Sequence, residues 1–479
     1  MTKARRNEFF THLPDCRIAS IFYSPRFLVA LSPETKWLVA KMTSQPENKH
    51  PKGLFLLCGV EMWERFSYYG MRALLILYLI RSIADGGMGM NEANASLLYG
   101  FFTGFVYFTP LIGGWIADKW MGRPRSIIIG SVLMAMGLFA LSFRADWFWL
   151  YIGLTLLVLG NGMFKPNIST LVGELYPPGD RRKDSAFTYF YMGINLGALI
   201  APFVTGWAAM TYGYRGGFFA AGIGMLIGLL VFVIIYKTGM IDPSPETTAA
   251  LDSAKTNEAN EKQPLTKVEK ERLSVIFIVV AFVVFFWAGF EQAGSSLTIF
   301  ADRMVDRAVG GVIIPTAWFQ SLNPLFVVLL APVFASIWKF LGTYGKEPSI
   351  PAKMGLGMLL LSFGYILLWA ATLSEGIINI SVWWLVGTYL LHTMGELSLS
   401  PIGLSMVSKL SPVRLASMMM GVWLLSSSVA NILGGFLAAV IVDMGVHAVF
   451  GAVALATGIL GAILLSIRKI LERRMHGVH

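Results

Sequence analysis

The chain has 479 residues, of which 55% are hydrophobic and 14% charged, with a formal net charge of +10. A soluble domain carries roughly a quarter charged residues, and one this apolar could not cover its surface, so lipid must be the solvent for most of it. Two cysteines, Cys16 and Cys58, exclude a disulfide framework. No nucleophile–base arrangement, metal-ligand cluster or phosphate loop points to an enzyme, so neither catalytic residues nor a metal nor another cofactor is expected.

Residues 1–52 hold only short apolar runs such as 27–31, interrupted by Arg5, Arg6, Arg17 and Arg26, and nothing like a cleavable signal. They are expected to be an N-terminal tail. It is either a cytoplasmic regulatory segment that reaches an inward-facing cavity, or the product of a start site that belongs at Met42. Twelve apolar segments of membrane-spanning length follow, near 53–80, 94–117, 124–143, 147–170, 185–208, 216–236, 273–298, 316–338, 350–372, 380–407, 415–441 and 446–467. Residues 237–272 interrupt them with Pro243, Pro245, a polar stretch to Asn260 and alternating charges between Lys267 and Arg272. This reads as a cytoplasmic linker with a short surface helix, between six-helix halves at 53–236 and 273–467. Residues 468–479 form a basic C-terminal tail. A weak echo, in which residues 110–122 resemble 332–342, supports two repeated halves with a site between them, the usual plan of a secondary transporter. The expected fold is therefore an all-α membrane protein of twelve helices.

Loop charge orients the chain. Lys119, Arg123, Arg125, Arg181, Arg182, Lys183, Lys339, Lys346, Lys353, Lys409 and Arg414 follow the even-numbered spans, while the alternate loops hold Arg81, Arg144, Arg215, Arg303 and Arg307. Eleven against five places both termini in the cytoplasm of a cell with an inner membrane. The excess positive charge is explained by orientation and requires no nucleic acid.

Seven charges cannot be assigned to loops: Glu61, Glu64, Arg65, Arg72, Lys165, Glu291 and Glu396. Each costs at least ~2.5–3.5 kcal/mol at the bilayer centre, so each is expected to face a cavity or a partner. They fall on spans 1, 4, 7 and 10, equivalent positions in two halves. On span 1, Glu61, Glu64, Arg65, Tyr68 and Arg72 share one helix face. A salt-bridge ladder on that helix alone would aid insertion, but it would not need the charges on the other three spans. By depth the charges sort into an outer pair, Arg72 with Glu291, and an inner cluster of the remaining five. Lys165 lies in Gly160-Asn-Gly-Met-Phe-Lys-Pro-Asn and Glu396 in Gly395-Glu-Leu-Ser-Leu-Ser-Pro. The prolines Pro166 and Pro401 are expected to bend or open both helices, making Lys165 and Glu396 gate residues alongside Arg72 and Glu291. Four carboxylates face three cations, which leaves one acid as a candidate proton-coupling site; Glu61 and Glu64 lead, with Glu291 next.

These residues resemble a known family, the proton-dependent oligopeptide transporters of the major facilitator superfamily. Glu61-Met-Trp-Glu-Arg65 is similar to its E-x-x-E-R signature on helix 1, and Phe190-Tyr-Met-Gly-Ile-Asn-Leu-Gly-Ala-Leu199 to its helix 5 signature. Lys165 before proline matches its helix 4 lysine, and Gly114-Trp-Ile-Ala-Asp-Lys-Trp-Met-Gly-Arg123 the wider superfamily's loop motif. The resemblance covers about residues 53–467. It implies proton-coupled symport of di- and tripeptides into the cytoplasm by a protein that works as a monomer in the lipid bilayer. It further implies that Arg65 and Lys165 hold the peptide carboxylate. Asn195, Asn323 and Glu396 would hold its amino terminus and backbone, and Tyr68, Tyr69, Tyr107, Trp287 and Trp423 would line side-chain pockets. Taken one by one, these aromatics read equally well as helix packing.

Two departures stand out. Animal members carry a histidine on helix 2 where this chain has Gly100, and His392 on span 10 reads as a packing residue, so proton coupling would rest on carboxylates. Many bacterial members have two further helices between the halves, for which residues 237–272 are too short and polar. Proton-coupled uptake of nitrate or another small anion would use Arg65 and Lys165 but leave Glu396 and the asparagines without a purpose. A non-transporting sensor on the same fold would not need charges at several depths.

Overall fold

The computed structural model describes residues 49–177, 179–180, 182–242, 247–248, 264–374, 378–412 and 415–478. The expected regulatory tail, Met42, most of the expected linker, Arg181 and Arg414 lie outside the described residues. Helices dominate: α1 Lys52–Ile80, α2 Glu92–Ile116, α3 Arg123–Phe143, α4 Trp147–Glu174 and α5 Arg182–Lys237 come first. After the linker come α6 Lys267–Phe290, α7 Ser296–Arg303, α8 Leu322–Thr343, α9 Ile350–Ser374, α10 Val382–Leu410, α11 Ala416–Met444 and α12 Val446–Arg474. We call the end where α1 stops and α2 begins the outer end. Two short pairings of two-residue strands decorate it: β1 Val305–Asp306 beside β4 Ile380–Ser381, and β2 Ala308–Val309 beside β3 Val312–Ile313.

Local chemistry sets the helix starts. Asn91 Oδ1 accepts from Asn94 N at 2.8 Å, and Asp146 Oδ1 accepts from Trp149 N at 3.0 Å. Thr266 and Glu269 form a reciprocal capping box, so the charged stretch from Lys267 to Arg272, expected as part of the linker, is the first turn and a half of the long helix α6. Likewise the basic tail expected from 468 onward remains helical as far as Arg474. The expected spans 185–208 and 216–236 are continuous in α5 apart from Gly213, whose φ of 76° turns the chain without a Cβ clash.

Nine helical stretches among the described residues are long and apolar enough to cross a membrane. Arg182–Lys237 counts as one of them, and α1 and α10 are not among them. The reason is physical: α1 carries Glu61, Glu64, Arg65 and Arg72, and α10 carries Glu396, so the polar path itself lowers their hydropathy.

At the two prolines the helices do not open. Both α4 and α10 run unbroken through Pro166 and Pro401. One missing N–H removes one ladder bond, which the rest of a long helix survives. The real interruption lies in the seventh expected span, where α6 ends at Phe290, a 3-10 turn covers Glu291–Gly294, and α7 restarts after Ser295 (φ −127°, ψ −95°). Gln292 braces this break, its Nε2 donating to Ala288 O and Gly434 O, each at 2.9 Å.

Apolar side chains form two cores. One runs from Leu54 to Ile241, with Ala317 joining it, and the other from Leu273 to Met475.

Candidate functional site

On α1, Arg65 Nε donates to Glu64 Oε2 and lies 3.2 Å from Glu61 Oε1. All three residues are at most 3% exposed. From α4, Asn161 Nδ2 donates to Glu64 Oε1 at 3.3 Å. The cluster is not saturated: Glu61 Oε2, Arg65 Nη2 and Asn161 Oδ1 are buried without a hydrogen-bond partner. Unpaired polar atoms inside a protein are costly, and at a site they mark where a ligand would bind. One turn outward of Arg65 comes Tyr68, whose ring lies 5.3 Å from the guanidinium carbon, packed in the first core.

Lys165 forms no ion pair among the described residues. Its ammonium sits 4.4 Å from the centroid of the Tyr107 ring instead. Across the molecule, Glu396 Oε2 accepts from Asn323 Nδ2 at 2.7 Å, and Asn323 Nδ2 also lies 3.1 Å from Thr393 Oγ1. Glu396 likewise has no cationic partner among the described residues.

A cavity of about 110 Å³ joins Asn195, Asn323 and Glu396 with Tyr69 and Arg72. Asn195 is carried there by close packing of α5 on α1, because a Cβ at Gly197 would stand 2.2 Å from Met62 O. The same cavity is lined by Tyr191, Gln320 and Tyr389, which the sequence reading missed. Tyr191 lies inside the helix 5 signature one turn before Asn195, Gln320 three residues before Asn323, and Tyr389 two turns before Glu396, so each shares a face with a chosen residue.

Of the expected site residues, Arg65, Lys165, Tyr68, Tyr107, Trp287 and Trp423 are not among the residues lining that cavity. Trp287 packs on Phe286 and Phe290 with ring centroids 5.4 and 5.2 Å away, and Trp423 is buried in the second core over Gly403. His392 is buried between the rings of Tyr365 and Phe290, with Nε2 unpaired. No group of acids, histidines and cysteines able to hold a metal occurs among the described residues.

Toward the outer end, Arg72 Nη2 donates to Glu291 Oε2, and Arg72 Nε donates to the Tyr99 hydroxyl at 2.8 Å. Further out, Arg81 Nη2 donates to Asp302 Oδ2 at 3.1 Å, while Thr316 Oγ1 donates to Asp302 Oδ1 at 2.8 Å. Arg303 pairs with Glu92. Among the described residues, these three ion pairs are the ones that join α1 and α2 to the segment after α6. A hydrogen bond from Arg81 to the Tyr214 hydroxyl, with Asp302 close by, raises the guanidinium above its ordinary value. Backbones meet here as well: a Cβ on Gly100 of α2 would lie 2.6 Å from Gly435 Cα of α11. That contact leaves no room for a histidine side chain at Gly100.

The family model described as PTR2: POT family matches residues 124–251 and 244–453. A peptide transporter of Yersinia enterocolitica, YePEPT, is 37% identical over 89% of this chain and 96% of its own length. A di-/tripeptide transporter of Lactococcus lactis is 32% identical over 89% of this chain and 97% of its own length. Among solved structures, a crystal structure of a peptide transporter POT in complex with sulfate has a TM-score of 0.83 and 35% identity, covering 91% of this chain and 98% of that one.

Proposed function

The chain belongs to the POT family, and from that premise we propose that it carries di- and tripeptides together with protons into the cytoplasm, by alternating access of one central site. The observation that carries this reading is the division of unmet charge. Among the described residues, Arg65 Nη2 has no hydrogen-bond partner and Lys165 no ion pair, both on the first bundle, while Glu396 on the second has no cationic partner. A short peptide is a zwitterion with its carboxylate and ammonium a few ångströms apart. Its carboxylate completes Arg65 and Lys165, and its amino terminus completes Glu396, with Asn195 and Asn323 on the backbone. A simple anion such as nitrate would satisfy only one side.

The three outer ion pairs support an inward-facing state, in which the outer ends are latched and the site opens toward the cytoplasm. Protonation of Glu291 removes the counter-ion of Arg72 and weakens this latch where protons are more concentrated. The latched and unlatched states then bind the proton differently, which any such switch requires. Glu61 and Glu64 are the further coupling acids we assign, with the proton as the only coupling ion and no cofactor. We place twelve crossings in an inner membrane: α1 to α4, the two limbs of α5, the broken helix α6–α7, and α8 to α12. Both termini are cytoplasmic, by the bias of basic loops, and one copy suffices, because the site is built within one chain.

Uptake of labelled dialanine into proteoliposomes under an imposed pH gradient tests this. Accumulation that collapses with the gradient is expected; uptake indifferent to the gradient, or competed by nitrate, would contradict it.

A further inference from the structure

A second cavity, of about 1030 Å³, lies at the end of the chain that carries the basic loops, away from the transport path. Three helices bring it together: the first turn of α9, the last turn of α10 and the final turns of α12, closed by the loop after α8. Lys346, Lys353, Lys409, Arg468 and Lys469 line it, against only Glu347 and Glu472. Lys353 is spent on Glu347 and on the Trp338 ring, whose centroid is 4.9 Å away. Lys346, Arg468 and Lys469 have no ion-pair partner among the described residues. Ser349 Oγ, at the same wall, is buried without a hydrogen-bond partner. The wall also includes the amino end of the 25-residue helix α9, whose dipole favours an anion.

Such a set of donors suits a phosphate-class anion, and its surroundings favour one attached to lipid. Val333, Ile337, Phe340 and Tyr344 are spaced along one face of the last turns of α8, and all four are exposed. This apolar row ends at Tyr344, one residue before Gly345 and Lys346 in the cavity wall. Exposed aromatic rings at Phe340 and Tyr344, 5.0 Å apart, suit headgroup depth. We propose that this cavity binds an anionic phospholipid, with the phosphodiester on Lys346, Arg468 and Lys469 and the acyl chains along the exposed face of α8. Basic pockets between helices on the cytoplasmic side are suited to anionic headgroups on general grounds. Occupancy would tie α9, α10 and α12 together without touching the peptide site.

The test uses the full chain in neutral detergent, incubated with equal amounts of phosphatidylglycerol and phosphatidylcholine, with retained lipid counted by native mass spectrometry. Each basic residue near an anionic headgroup is worth about a fivefold preference. The wild type is expected to retain phosphatidylglycerol preferentially, and the triple variant Lys346→Ala, Arg468→Ala, Lys469→Ala to lose on the order of a hundredfold of that preference. Lys346→Arg with Arg468→Lys and Lys469→Arg should keep it, and Arg468→Ala alone should lose about fivefold, which keeps the test decisive if the triple variant does not fold. Soluble glycerol 3-phosphate at the same concentration should not displace the lipid. Equal retention of the two lipids, or a preference that survives the triple variant, would overturn the site; displacement by glycerol 3-phosphate would overturn the lipid source.

Discussion

In the first bundle, Glu61 and Glu64 share the single guanidinium of Arg65 within a turn and a half of α1, and Lys165, which rests on a tyrosine ring, brings the four charges to balance. In the second, Glu396 is held by a neutral amide and meets no cation among the described residues. One side is thus a pre-assembled ion cluster with spare donor capacity, the other a lone acid kept in place by Asn323. Opposite unmet charges on two bodies that must move against each other are what a zwitterionic cargo requires, since the cargo itself becomes the link between them. The outer end uses the reverse logic. There the two bundles satisfy each other directly, Arg72 with Glu291, Arg81 with Asp302 and Glu92 with Arg303, so no cargo is needed to hold them.

The largest effect expected from breaking this contrast is at Lys165. Lys165→Ala removes the first bundle's free ammonium, and losing one partner of a desolvated charge pair costs about 2–5 kcal/mol. Proton-driven dialanine uptake should fall by roughly thirtyfold or more, with normal yield and melting temperature. Arg65→Lys should fall by about tenfold, because a point charge cannot serve Glu61, Glu64 and a ligand at once as a planar fork does. Wild-type rates in either variant would remove these residues from the carboxylate site.

The ion cluster and the outer latch can be separated by a different measurement. Glu61→Gln and Glu64→Gln should abolish accumulation against a gradient while leaving peptide exchange within about threefold of wild type, since exchange moves no net protons. If both variants still concentrate peptide, the coupling acid is Glu291. At the latch, Arg72→Ala and Glu291→Gln should widen the distance between spin labels on the outer ends of α1 and α7, at both neutral and acidic pH. An unchanged distance in both variants would mean that this pair is static.

The smallest effect concerns backbone contact. Gly100→His should lower the melting temperature by an amount matching about 1–3 kcal/mol of overpacking, because α2 and α11 must part to admit the ring. A stable Gly100→His variant with normal uptake would show that this contact opens easily.

Much of this was legible in the chain. The offsets from Glu61 to Arg72 place five polar residues on one face, and the depth argument pairs Arg72 with Glu291, because charges in lipid have so few alternatives. Other features left no such mark. In the sequence Arg81 and Arg303 read only as orientation signals, since a count of basic loop residues ignores the acids, and their partners Asp302 and Glu92 leave no mark. The break after Glu291 was invisible because Gly294 and Ser295 are ordinary within membrane helices, while Pro166 and Pro401 drew attention to helices that remain continuous. Nothing in the sequence singles out Tyr99 or Tyr389; only the folded neighbourhood puts the first on Arg72 and the second in one cavity with Glu396.

The division of a zwitterion between two bundles is tested most directly by competition with end-blocked peptides. Inhibition of labelled dialanine uptake is measured for dialanine, its N-acetyl form and its C-terminal amide, in wild type, Lys165→Ala and Glu396→Gln. In the wild type each blocked peptide should compete about tenfold or more weakly, because a buried group on one side is left unpaired. The penalty for acetylation should vanish in Glu396→Gln and persist in Lys165→Ala, and the penalty for amidation should do the opposite. Penalties that stay the same in both variants would mean that Glu396 and Lys165 do not hold the two ends of the peptide.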